Sequence, residues 1–184
     1  MTLYSIALFL HVVGAIGVFG ALALEWAGLA NLRRARTAEQ VREWAGLYRV
    51  IRPLGAASVV ALLVFGIYMT VVSWGPTAWI GIGFLSLLII AVVGAVSGVR
   101  LGRILALLGA RQGPLGDAIR EQLRATMFVA SVRIRTAVAL GVVLLMTAKP
   151  DLVVSILVIA VALGLGIASA APVMRRERLR AEPS

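Results

Sequence analysis

The residue best suited to ligate a metal or carry a proton near neutral pH is the single histidine of this 184-residue chain, His11. It lies inside a long uncharged stretch. Neutral imidazole suits both haem iron and copper. Met69 and Tyr68, at a comparable depth in the second apolar stretch, are the available second ligands, and Met146 lies nearer the surface. A bis-histidine haem needs a partner that the chain lacks. The alternative is a hydrogen-bonded histidine that fixes its helix against a neighbour's carbonyl or hydroxyl. The scarcity of strong ligands favours this second role and no cofactor, with haem b and copper as the alternatives that His11 leaves open.

Other chemistry is sparse. There is no cysteine, which removes disulfides, thiolate zinc sites and cysteine nucleophiles, and only eight acidic residues are present. No H-E-x-x-H, phosphate-binding loop or histidine triad occurs, which argues against an enzyme. Glu25 stands near the depth of Arg133 and Arg135, so a charge pair between the first and fourth apolar stretches is expected. A relay from His11 to Glu25 would have to cross about 21 Å of helix, with nothing polar between them on that face.

These residues must be carried by transmembrane helices. Hydrophobic residues make up 61% of the chain and charged ones 14%, against roughly 45–50% and about 25% in soluble domains. About 20 residues are needed to cross some 30 Å of hydrocarbon. Leu3 to Leu24, Pro53 to Trp74, Ala78 to Val99 and Leu152 to Met174 meet that length without a formal charge. Thr136 to Ala148 is too short alone and must extend back to Thr126, taking in Arg133 and Arg135. The expectation is an all-α polytopic bundle forming a single domain, 1–184. Its five spans lie at about 3–28, 53–74, 78–108, 126–148 and 152–174, followed by a basic tail at 175–184. Asn31 to Ile51 reads as a helical continuation or interfacial helix, and Asp117 to Arg124 as a short amphipathic helix.

Of the 18 basic residues, all but Lys149 fall between the first and second spans, between or at the ends of the third and fourth, or in the tail. The positive-inside rule then puts the amino terminus outside and the carboxy terminus in the cytoplasm, in a multi-pass protein of the cell membrane. Arginines flanking spans do not form a nucleic-acid surface, so the expected partners are the bilayer and its anionic headgroups. Trp74 and Trp79 bracket an outer turn as an interfacial belt does. The preference for arginine, with abundant Ala, Gly and Val, suggests a GC-rich bacterial coding background.

Small residues at four-residue spacing let helices approach closely. Gly94, Gly98 and Gly102 form such a stripe on the third span, and Ala160, Gly164 and Ala168 are its candidate match on the fifth. Gly14, Gly17 and Gly20 thin the first. Packing within the chain is the leading role for these stripes; a homo-oligomer or a partner membrane subunit is the other. His11, Gly14, Val18, Ala21 and Glu25 share one helical face.

The opening Leu10-His11-Val12-Val13-Gly14 resembles the L-H-x-x-G start of a family of predicted bacterial integral membrane proteins of unknown function. Met146-Thr147-Ala148-Lys149-Pro150-Asp151 resembles that family's M-x-x-K-P turn. The family is itself similar to the membrane domain of copper-resistance protein D and to haem-binding protoporphyrinogen oxidases of the HemJ type. The resemblance implies a helical membrane bundle with His11 as a haem or copper ligand near the outer face. Val18-Phe19-Gly20 stands where those proteins often carry Trp and paired glycines, and the further histidines of the haem and copper relatives are missing here.

Overall fold

The structure, a computed structural model, describes residues 2–181, with side chains described through residue 172. It is all-helical: α1 Leu3–Leu32, α2 Ala38–Met69, α3 Ala78–Leu108, α4 Asp117–Arg124, α5 Thr126–Ala148 and α6 Leu152–Ala181. Five helices are long and apolar enough to cross a membrane, which makes this a candidate multi-pass membrane protein. α4 is the short amphipathic helix that enters α5. The expected tail is helical to Ala181, while its side chains and residues 182–184 lie outside the described residues.

Two helix boundaries differ from expectation. α1 continues to Leu32, and α2 begins at Ala38 instead of residue 53, passing through Pro53 unbroken. Proline removes one backbone donor, whereas the preceding turns are anchored by Val41, Ala45 and Ile51, all buried. Thr37 caps α2 by accepting from the Gln40 N–H at 3.4 Å, and Gln40 Oε1 accepts from the Arg36 N–H at 2.8 Å. At its other end α2 passes into a π-helical turn, Thr70–Trp74, closed by the Gly75 N–H donating to the Thr70 carbonyl at 2.8 Å. Gly75 has φ of 66°, which glycine adopts at no steric cost.

α1 and α2 form the most extensive helix pair, α5 and α6 the next, and α3 packs chiefly on α5. The bundle has two unlike ends. At the arginine-rich end the α1–α2 and α3–α4 connections are tied together, Ala38 N–H donating to the Gly113 carbonyl and Leu115 N–H to that of Arg36, at 3.0 and 2.9 Å. Beneath them Leu32, Val41, Leu108, Leu123 and Val132 form a packed core. The opposite end has only the turn around Gly75 and the Lys149-Pro150-Asp151 turn. There Lys149 ends α5 in the left-handed region, and Asp151 caps α6 by accepting from the Val154 N–H at 2.9 Å.

Close packing follows glycine where a neighbour's atoms leave no room for a side chain. A methyl at Gly14 would lie 3.1 Å from the Ser58 carbonyl oxygen, and one at Gly17 would collide with the Ser58 side chain. The α5–α6 seam runs through Ala162, Gly166 and Ala170, all buried. A Cβ on Gly166 would sit 2.8 Å from the Ile134 Cα. Ala160, Gly164 and Ala168, the expected stripe, instead face outward two positions round the helix. Gly20 also meets nothing. Gly17→Ala should therefore lower resistance to denaturation in detergent by about 1–3 kcal/mol through overpacking against Ser58. Gly20→Ala should be neutral or stabilising by up to about 1 kcal/mol from helix propensity. Equal behaviour of the two variants would remove the α1–α2 contact as the cause.

Candidate functional site

The buried face of α1 contains His11, Gly14, Val18 and Ala21, the face expected from their spacing. His11 is 9% exposed and its ring rests on α2, where a Cβ at Gly66 would lie 3.3 Å from Cε1 and 3.5 Å from Nδ1. The Leu62 backbone is the polar group that faces the imidazole. No hydrogen bond of good geometry reaches Nδ1, which is fully buried. His11 thus carries an open hydrogen-bonding valence in an apolar setting, where each such group is costly.

The same ring lines a cavity of about 380 Å³ at the Lys149 end of the bundle. Its wall includes Phe19, Phe84, Leu87 and Val142, with Met69 and Met146 contributing thioethers. Gly83 faces the open space: it is buried, yet a Cβ there would meet no atom within 4 Å. Trp74, Trp79, Tyr4 and Lys149 complete the lining toward the helix ends. Lys149 Nζ sits 4.1 Å from the Trp74 ring centre, Trp79 meets that ring edge-on at 5.8 Å, and the Trp74 indole N–H donates to Tyr4 Oη at 3.3 Å. The arrangement can hold a small apolar or aromatic molecule, offer one hydrogen bond from the imidazole, and present a cation near the end of the helices.

Met69 and His11 are therefore brought to one cavity. Tyr68, expected beside them, is not: one residue along α2 is a rotation of about 100°, and Tyr68 is absent from the lining. Met146, placed nearer the surface by sequence, lines the same cavity. Gly83, Phe84 and Lys149 were not anticipated as site residues. Lys149 could have been found as the one basic residue away from the arginine-rich segments.

At the arginine-rich end, Glu25 takes Arg135 and not Arg133. Arg135 Nη2 lies 2.5 Å from Glu25 Oε1, and its Nε donates to the Ser131 carbonyl at 3.3 Å. Arg133, two positions away and so on another side of α5, lies with its guanidinium 5.4 Å from the Trp26 ring centre. The glycine stripe of α3 also has an unexpected occupant. A Cβ at Gly94 would be 3.0 Å from Arg135 Nη1, and one at Gly98 3.1 Å from Arg52 Nη2. Arg52 donates to the Gly98 carbonyl. Gly102 is the loosest, 4.0 Å from Arg52 Nη2. The stripe admits two flat guanidinium groups, which a bare helix backbone accommodates and a side chain would displace; it is not a seam between two backbones.

Among the described residues no group of three or more His, Cys, Asp or Glu side chains could hold a metal ion. No protein-family model matches this chain, and neither curated proteins nor solved structures include a significant match.

Glu25→Gln and Arg135→Gln should each cost about 3 kcal/mol, because each leaves a buried charge without its partner. Their double variant should cost at least about 1 kcal/mol less than the sum, whereas Glu25→Gln with Arg133→Gln should be additive within about 0.5 kcal/mol. Unfolding of all five variants in one detergent checks this, and coupling to Arg133 equal to that of Arg135 would contradict the pairing.

Proposed function

We propose that this chain is a non-enzymatic, accessory protein of the bacterial cell membrane that holds a small, mainly apolar ligand in the His11 cavity. Its amino terminus lies outside and its carboxy terminus in the cytoplasm, so the cavity belongs to the outer half of the bilayer. The orientation rests on the one-sided placement of arginine. The observation that carries the binding role is the coincidence of an aromatic-walled cavity of about 380 Å³ with a buried imidazole nitrogen that lacks a partner. The volume lies within the range of small-molecule sites, at its lower end. His11 would orient the polar atom of the ligand, and Phe19, Phe84 and Trp79 would cover its apolar body.

Met69 and Met146 on the same wall favour one second reading, a copper- or haem-handling protein with His11 as ligand. One imidazole and two thioethers form a soft donor set that fits copper(I). Haem b, which His11 with Met69 or Met146 would hold, is a large group for a cavity of this size and fits less well. Copper would supply one-electron chemistry when bound. The chain's own part is to hold the imidazole on Gly66 and to keep water from it.

4-Iodophenol, an aromatic with one hydroxyl and a heavy atom, tests the first reading by quenching Trp74 and Trp79. Saturable quenching is expected for the wild type. Gly83→Leu, whose Cβ would meet no atom within 4 Å and whose side chain would occupy the cavity, should weaken it at least tenfold while the helix content stays unchanged. His11→Ala should weaken it about fivefold, the equivalent of about 1 kcal/mol for one hydrogen bond. Non-saturable quenching in all three would overturn the binding role. Stoichiometric copper or a Soret band in the wild type, removed by His11→Ala, would establish the second reading instead.

Orientation has its own check. Single cysteines replacing Pro76 and Gln112, both exposed, should label from opposite sides of intact cells, with Pro76→Cys accessible from outside. Labelling of Gln112→Cys from outside would reverse the topology.

A further inference from the structure

A second cavity lies far from His11, on the outer surface of the α5–α6 pair. It is an open groove of about 690 Å³ with an almost wholly apolar lining, including Leu140, Leu144, Val161 and Leu165. Gly141 and Ala162 form its floor, where a Cβ on Gly141 would be 3.1 Å from that of Ala162. From Leu144 the groove runs to Arg133, a helical distance of about 16 Å.

Its arginine-rich end is polar and braced. Arg133 lies over Trp26, whose indole N–H donates to Thr136 Oγ1 at 3.3 Å, and the Thr136 hydroxyl donates to the Val132 carbonyl at 2.8 Å. Arg133 Nε is buried and has no hydrogen-bond partner. Among the described residues no carboxylate pairs with Arg133, because Glu25 is committed to Arg135. A guanidinium held over Trp26 thus heads an apolar channel that runs along α5 and α6.

We propose that this groove holds one acyl chain of an anionic phospholipid from the leaflet at the arginine-rich end, with the lipid phosphate accepting from Arg133. Charge complementarity selects this occupant. A helix from a second copy or another protein would have to bring a carboxylate below the headgroup level, at a desolvation cost of its own. Arg133 lies about 10 Å along α5 from Thr126, a gap that its long side chain and a phosphate drawn below the headgroup layer would close together. Guanidinium and phosphate also match as forked donor and acceptor.

Native mass spectrometry of the detergent-purified protein, with phosphatidylglycerol or phosphatidylcholine of identical chains, tests the site. The wild type should retain one phosphatidylglycerol at a concentration at least tenfold below that needed for phosphatidylcholine. Arg133→Gln should abolish the preference. Val161→Trp, which blocks the groove from an exposed position and leaves Arg133 in place, should reduce retention of both lipids at least tenfold. Inorganic phosphate at millimolar concentration should not displace the lipid. Equal retention of the two lipids by the wild type, undiminished retention by Val161→Trp, or displacement by phosphate alone would overturn the proposal, as would a lipid-free dimer. If Arg133→Gln fails to fold, Val161→Trp decides the matter.

Discussion

Arg135 is 7% exposed in the middle of the mainly apolar helix α5, and much of the bundle is arranged around the need to satisfy it. An unpaired guanidinium at this depth costs several kcal/mol, so its partners must all be in place when the helices assemble. α1 supplies Glu25, α5 supplies its own Ser131 carbonyl, and α3 supplies the bare backbone at Gly94 against which the guanidinium lies. Three helices from distant parts of the chain are thereby fixed at one level. A second arginine, Arg52, ties α2 to α3 through the Gly98 carbonyl in the same manner. Positive charge, usually read in such chains only as a determinant of orientation, here also sets the register of the bundle.

The remaining polar groups are economical. Ser58, Thr70, Ser86, Thr136 and Thr147 donate to carbonyls four residues earlier in their own helices, and Ser97 and Ser131 pair with one another at 2.6 Å. Such back-bonding satisfies the hydroxyls locally and leaves little to offer a ligand. Among the described residues, the buried side-chain atoms left without a partner are His11 Nδ1, Arg133 Nε and Thr77 Oγ1. Thr77 stands at the start of α3 in a turn. The other two lie beside the two cavities, one toward each end of the molecule. A bundle that satisfies nearly every other buried polar group can carry these open valences at little cost if a ligand or lipid completes them.

The spans were legible because hydrocarbon thickness imposes a length that composition alone reveals. Asp117 to Arg124 was equally plain, its amphipathic pattern bounded by Gly116. Helix ends outside the apolar runs were less so: α2 gains fifteen residues before Pro53 through tertiary packing of Val41 and Ala45, which hydropathy does not report. Depth placed Glu25 beside both Arg133 and Arg135, but depth does not distinguish residues two positions apart on one helix. Small-residue stripes showed where there was room and not what would fill it, so Gly94 and Gly98 receive arginines. On α6 the run from Ile156 to Ala168 is apolar throughout, and periodicity could not tell Ala160-Gly164-Ala168 from Ala162-Gly166-Ala170. His11 and Met69 were found from type and depth. The cavity around them was not legible, since it depends on how side chains from α1, α2, α3 and α5 meet, with the His11 ring on Gly66 and open space beside Gly83.

The unlike ends of the bundle bear on how a ligand would reach His11. At the arginine-rich end, a packed core and paired connections close the space between helices. At the other end the α2–α3 and α5–α6 connections are tight turns that add no covering layer, and α2 has lost its regular geometry in the turn Thr70–Trp74. A π-helical turn inserts a residue's worth of extra rotation, and such turns recur at functional positions. Here that turn carries Trp74 to Tyr4 and Lys149, so the aromatic ring stands in the cavity lining near the helix ends. The Lys149 end is thus the less covered end of the cavity, with a cation held there on an indole face, while the core of the bundle closes the far side. Such one-sided cover fits the proposed binding of a molecule that arrives from one leaflet, and it separates this cavity from a path that would have to open at both ends.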